Sequence, residues 1–251
     1  MVLVGTAGPL NLGVSARLCA NFAIPELRLV APRCRRDDPQ ALQMAVHAAA
    51  WLERAREFPD LCSALADCGR VAAASARLQP EPLPLATPQE LAPWLARGGS
   101  RPTALVFGRE DHGLQNSELL LAGKVLRLPT DPGYASMNLA SAIAAVLASL
   151  SVVPLAQTPA TASSVPMPSG PTTPQQLCSS GDLSAALSDA GDLLLEVGFL
   201  LPHTARARMA KLETLLRRAE LSTAELALLR GMVRQLRWGI RRRAVSDDLP
   251  D

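Results

Sequence analysis

Five short apolar runs, separated by stretches of helical spacing, constrain the fold of this 251-residue chain more than any other feature. They are Met1–Gly5 (MVLVG), Glu26–Ala31 (ELRLVA), Val71–Ala76 (VAAASA), Thr103–Phe107 (TALVF) and Val125–Leu128 (VLRL). The first does not alternate apolar with polar residues, so it reads as a strand buried on both faces. Helical spacing falls between the runs, at Val14–Phe22, Gln40–Glu57, Asp60–Ala66, Asn116–Ala122 and Ser136–Leu150. Thr87–Ala96 adds a helix with Thr87 as its cap and Pro88 at its first position. Strands alternating with helices predict an α/β fold with a parallel sheet covered on both faces.

Bulk properties narrow the class. At 48% hydrophobic and 19% charged the chain can bury a sizeable core. Aromatic residues are only 3%, so that core must be built from Leu, Ala and Val. The five cysteines (Cys19, Cys34, Cys62, Cys68, Cys178) are odd in number and contain no CxxC pair. Neither a disulfide framework nor a zinc site is expected, which favours a reducing cytoplasm. Met1 leads straight into a strand with no signal peptide before it. The apolar run from Met137 to Val153 follows a loop and contains Asn138 and several Ser, so it reads as a core helix rather than a membrane span.

The composition changes after Val153. Residues 154–180 are rich in Pro, Ser and Thr and read as a linker between a domain at 1–153 and a helical extension at 181–243. Three helices are expected in the extension: Asp182–Val197, Thr204–Ala219 and Ser222–Arg242. The last opens on a capping box, Ser222 with Glu225. It carries an apolar stripe (Leu226, Leu229, Val233, Leu236, Ile240) and a basic one (Arg230, Arg234, Arg237, Arg241). Between His203 and Arg243 eleven Lys or Arg stand against three Glu, whereas residues 244–251 form an acidic tail with Asp247, Asp248 and Asp251. A basic segment on a mildly acidic body predicts a polyanionic partner for that segment; a solvated face beside a dimerising apolar stripe is the alternative.

Three loops stand at strand C-terminal ends, where open α/β sheets bind ligands. The first is NLGVSAR, with Asn11 and Gly13 at a helix entrance and Arg17 one turn into the helix. The second is FGREDHGL, where Gly108 allows close backbone approach. Glu110, Asp111 and His112 are adjacent, and adjacent residues rarely converge on one ion, so no metal is expected. The third is LRLPTDPGYASMNLASA, which turns through Pro129, Asp131, Pro132 and Gly133 and places Ser136 and Asn138 at the start of a long helix. Neither a Walker-type nor a dinucleotide-binding glycine pattern is present.

Together and in this order, the three loops resemble the three motifs of the SpoU/TrmH branch of the SPOUT methyltransferases. The tail segments LLLEVGFL and RMAKLETLLRRAELSTAELALLRGMV are similar to the helical tail of that branch's TrmJ group. The resemblance implies an α/β fold with a deep C-terminal trefoil knot, one of the rare exceptions to the rule against knots. It also implies a homodimer whose active sites draw on both knots, and S-adenosylmethionine as cofactor. The implied activity is ribose 2′-O-methylation of tRNA at a pyrimidine of the anticodon loop, position 32. Carried onto this chain, it assigns the cofactor to Ala74, Ser75, Ala76, Gly108, Leu128, Ala135, Ser136 and Met137. Arg17 matches the catalytic arginine, Asn11 its partner, and Glu110 and Asn138 the supporting residues. The tail arginines Arg230, Arg234, Arg237 and Arg241 would hold RNA. Where the TrmJ group commonly has two Ser, this chain has Ala135 and Ser136. A ribosomal RNA substrate and a non-catalytic RNA-binding role are the alternatives.

Overall fold

The structure, a computed structural model, describes residues 1–76, 84–97, 99–153 and 176–247. Residues 154–175 of the linker predicted at 154–180 and the end of the acidic tail at 248–251 lie outside the described residues, whereas Leu177 bridges to Ser222 and Ser180 already begins a helix. In chain order the elements are β1 (Val2–Val4), α1 (Pro9–Asn21), β2 (Arg28–Val30), α2 (Pro39–Ala45), α3 (Ala49–Glu53), β3 (Arg56–Phe58), α4 (Leu61–Leu65) and β4 (Arg70–Ala74). There follow β5 (Leu85–Ala86), α5 (Pro88–Ala96), β6 (Thr103–Phe107), α6 (Asn116–Leu119), β7 (Lys124–Leu126) and α7 (Leu139–Ser151). The extension supplies α8 (Ser180–Glu196), α9 (Pro202–Ala219) and α10 (Thr223–Asp247), so residues 244–247 of the expected tail continue a helix.

All seven strands form one parallel sheet in the order β3-β2-β1-β6-β4-β7-β5. Leu3, Leu29, Ala72, Phe107 and Leu126 pack on one face beneath Leu12 and Ala16 of α1 and Ile143 and Val146 of α7. Val2, Val4, Val30, Ala73, Val106 and Val125 pack on the other beneath Leu61 and Leu65 of α4 and Leu119 of α6. Alternate residues of β1 therefore serve opposite cores, which is why its run carries no polar position. β7 lies between β4 and β5, although the chain visits β4 and β5 first. In that order a later strand is inserted between two earlier ones.

Several sequence expectations require correction. The entry Pro9–Gly13, read as loop, is already helical, because Pro9 occupies the first turn where no amide donor is needed. The single helix expected over 40–57 breaks at Val46, whose φ of 54° is left-handed, and residues 56–58 become β3. Edge strand β5 is only two residues long and lacks a strong pattern. The long helix begins at Leu139 rather than Ser136; Asn138 is its cap, accepting from the Ser141 amide at 3.2 Å. Thr87 caps α5 with Glu90 in a reciprocal capping box.

The extension packs beside α4. The Ser180 and Gly181 amides donate to the Cys68 and Ala66 carbonyls at 2.8 and 3.1 Å. Arg70 is 8% exposed and donates to the Trp94 carbonyl at 2.7 Å and to the Glu220 carboxylate at 2.8 Å. The same carboxylate accepts from the Trp94 indole. Glu220 therefore fastens the helical extension to the sheet domain through an almost buried guanidinium. We expect Glu220→Ala to strip that guanidinium of its counter-charge and destabilise the chain by about 2 kcal/mol. Adding Arg70→Leu should recover most of the loss, as measured by chemical denaturation.

Candidate active site

The site begins with one carboxylate. Glu110, in the loop after β6, accepts from the Ala7 amide at 3.1 Å and the Gly8 amide at 3.0 Å, at the entrance to α1. It also accepts from the Asn11 side-chain amide at 3.3 Å. The other end of Asn11 accepts from the Asn138 amide at 3.0 Å, and Asn138 caps α7. One chain of hydrogen bonds thus joins all three predicted loops. Burial raises the Glu110 pKa, but the Gly8 and Ala7 amides and the Asn11 side chain outweigh it, leaving it below the ordinary glutamate value. A negative charge at the start of α1 also suits the helix dipole. With its lone pairs so engaged, Glu110 is an organiser of the loops rather than a free base.

Beside this network lies a cavity of about 490 Å³. All eight residues read as cofactor-binding line it: Ala74, Ser75 and Ala76 after β4, Gly108 after β6, Leu128 after β7, and Ala135, Ser136 and Met137 before α7. Phe107, Leu126 and Leu139 give it an apolar wall. Gly108 is required by packing, because a Cβ there would stand 2.2 Å from the Gly113 carbonyl carbon and 2.3 Å from the Leu114 nitrogen. A second cavity of about 460 Å³ opens near Met1 and Thr103, at the opposite ends of the strands, and gathers none of the three loops.

The sequence reading does not single out Arg109 and Glu118, which brace the second loop. Two parallel hydrogen bonds of 2.9 Å join them, and Glu118 also accepts from the Gln115 amide at 2.7 Å. The spacing of Gln115 and Glu118 is a capping-box signal that could have revealed half of this arrangement. Cys19 is buried on α1, and burial pushes its thiol up to about 11.

Arg17 stands apart. It is exposed on α1 and has no hydrogen-bond or ion-pair partner among the described residues. The tail arginines divide into two kinds. Arg230 donates to the Asp182 carbonyl at 2.9 Å, and Arg237 to the Asp189 carboxylate at 2.5 Å and carbonyl at 3.0 Å. The Asp189 hydrogen bond raises the Arg237 pKa, so that charge is committed within the chain. Arg234 and Arg241 are exposed and unpaired among the described residues. No helix among the described residues is long and apolar enough to cross a membrane.

Comparison with known proteins adds the following. The model of the SpoU rRNA Methylase family matches residues 1–148, and that of the tRNA methyltransferase TrmJ C-terminal domain matches residues 190–248. The chain is 33% identical over 234 residues to a tRNA (cytidine/uridine-2′-O-)-methyltransferase TrmJ of Cronobacter sakazakii, covering 93% of each. It is 32% identical to a tRNA (cytidine/uridine/adenosine-2′-O-)-methyltransferase TrmJ of Pseudomonas aeruginosa, covering 93% of this chain and 91% of that one. Among solved structures it is similar to TrmJ from Z. mobilis, with a TM-score of 0.80 at 28% identity over 94% of this chain and 97% of that one.

The Glu110 network has a pH signature. Its folded pKa is lowered, so its stabilisation is complete above the ordinary value of 4.5 and is lost as pH falls through the folded value. Glu110→Gln should cost about 1 kcal/mol at neutral pH. In denaturation curves the gap between the two proteins should close as the pH drops below 4.5.

Proposed function

This chain belongs to the SpoU methylase family, and on that footing we propose that it is an S-adenosylmethionine-dependent tRNA ribose 2′-O-methyltransferase. The observation that carries this reading is the hydrogen-bonded chain Glu110–Asn11–Asn138, which gathers three distant loops beside one cavity. Relatives along nearly the whole chain are named as enzymes of that activity, and the tail match speaks for tRNA over ribosomal RNA. The preferred target is a pyrimidine in the anticodon loop, position 32, as the sequence resemblance implies. The Pseudomonas relative's name includes adenosine, so base tolerance is the property on which such enzymes differ.

The cavity suits the cofactor. Small residues at 74–76 and 135–136 keep side chains out of the way, and Gly108 lets the second loop fold tightly on itself beside them. Apolar Leu128, Leu126 and Phe107 suit the adenine, and loop backbone can supply its polar partners. When bound, the cofactor supplies a methyl group on a cationic sulfonium. The insertion of β7 between β4 and β5 supports the knotted arrangement around it.

The remaining task falls to the chain's own groups. The network holds the α1 entrance, the second loop and the start of α7 in fixed relation, which restricts how a ribose can approach. Arg17 is the group we assign to the 2′-oxygen. An arginine holds its proton too tightly to serve easily as a base. We assign it stabilisation of the developing alkoxide, while the 2′-hydroxyl proton passes to a substrate phosphate alongside. Its isolation within one chain supports action across a homodimer. So do Leu10, Tyr134 and Met137, which are 50%, 83% and 39% exposed at the edges of these loops.

Arg17→Lys keeps the charge and loses the planar fork. It should lower methyl transfer to tRNA transcripts by about 100-fold, while calorimetry shows unchanged cofactor affinity. Near-full activity would remove Arg17 from this role. In the same assay a 2′-deoxy nucleotide at the mapped position should abolish labelling, and persistent labelling there would exclude 2′-O chemistry.

A further inference from the structure

We propose that Trp238 on α10 is a stacking platform for an unpaired base of the RNA substrate, with Arg234 and Arg241 beside it as the phosphate-binding cations. This rests on the reading of the substrate as tRNA and goes beyond it by separating the working surface of the tail from its scaffolding.

The three tryptophans differ in employment. Trp94 is 5% exposed and belongs to the core. The Trp51 indole donates to the Ile24 carbonyl at 2.8 Å. Trp238 is 58% exposed on a solvent-facing part of α10. A large aromatic surface left in water costs free energy that folding would ordinarily recover by burial. The Arg242 guanidinium lies 5.2 Å from the Trp238 ring centroid, so a cation–π contact steadies the ring and places positive charge beside it.

Helical phase decides what kind of partner this surface fits. At roughly 100° per residue, Trp238 lies within about 60° of Arg234, Arg241 and Arg242. It lies about 120° or more from the exposed apolar residues Met232 and Leu236, and about 80° from exposed Leu228, which stands ten residues away along the axis. The indole therefore belongs to the basic stripe and not to the apolar one. Arg230 and Arg237, nearer to α8, are engaged by Asp182 and Asp189 and fix the helix in place. Arg234 and Arg241 keep their charge for an outside anion. An open aromatic face interleaved with unpaired cations is how single-stranded nucleic acid is held: bases stack while cations track the backbone. A duplex offers no unstacked base, so the surface fits a loop.

Binding of full-length protein to tRNA transcripts tests this. Trp238→Ala and Trp238→Leu should each weaken affinity by about 10-fold, and Trp238→Tyr by no more than about 3-fold, because a planar ring is what counts. None of the three should change the slope of log affinity against log salt. Arg234→Gln with Arg241→Gln should reduce that slope by about 1.5. A single-stranded oligonucleotide copying the anticodon loop should quench tryptophan fluorescence in the parent protein and not in Trp238→Tyr, and a duplex of equal length should quench neither. Unchanged affinity in Trp238→Ala, with tRNA methylation established, overturns the proposal and leaves the activity standing. So does an affinity loss that tracks a change in oligomeric state, since the ring would then contact a second copy. Quenching and affinity loss in a chain that methylates nothing would keep the platform and remove the enzyme.

Discussion

A carboxylate that accepts from two backbone amides and a side-chain amide is the constraint on which the site depends. Glu110 and Gly8 are 102 residues apart in sequence, and Asn11 and Asn138 are 127 apart. The first pair needs β1 and β6 side by side in the sheet, and the second needs the start of α7 laid against α1. The network is therefore a reporter of correct folding. Its negative charge sits on the Ala7 and Gly8 amides just before α1, so one group serves the approach to the helix, loop closure and site geometry together.

Close approach is the second constraint. Gly108 turns against Gly113 and Leu114 so tightly that no side chain fits. Gly13 brings α1 onto α2, where a Cβ would stand 2.2 Å from the Ala41 carbonyl oxygen. Both glycines sit beside site residues, Glu110 and Asn11. The second loop can fold tightly beside the cavity because no side chain stands at Gly108, and Arg109 paired with Glu118 braces that loop from behind.

The legible parts of the fold were those in which a short-range pattern carries the information. Thr87 and Glu90 announce α5, and Ser222 with Glu225 announces the turn into α10. The central strands are legible because both their faces are buried. β3 was not, since Arg56 and Glu57 are exposed on an edge strand and continue an Ala-rich helical stretch. Nor was the helical start at Pro9, because Gly8 and Asn11 read equally well as loop. In the site, the three loops were legible as motifs in their order, but the hydrogen bonds that connect them were not. Partners a hundred residues apart leave no local periodicity. The same limit applies in the tail, where four arginines of one stripe look alike in sequence. Only the neighbouring helix distinguishes Arg230 and Arg237, each facing an acid 48 residues earlier, from Arg234 and Arg241.

That equal offset of 48 residues has a structural meaning. Arg230 meets Asp182 and Arg237 meets Asp189, so α8 and α10 run parallel and in step. Parallel neighbours need a long return, and α9 supplies it, ending at Glu220 in a left-handed conformation with a φ of 52°. The residue that reverses the chain is also the one that grips Arg70 and Trp94. The extension meets the sheet domain at that turn as well as through the Ser180 and Gly181 amides, and the turn leads directly into α10. The basic stripe is thereby referred to the sheet that carries the three loops. The stripe therefore stands at a distance from the three loops that the protein's own packing sets.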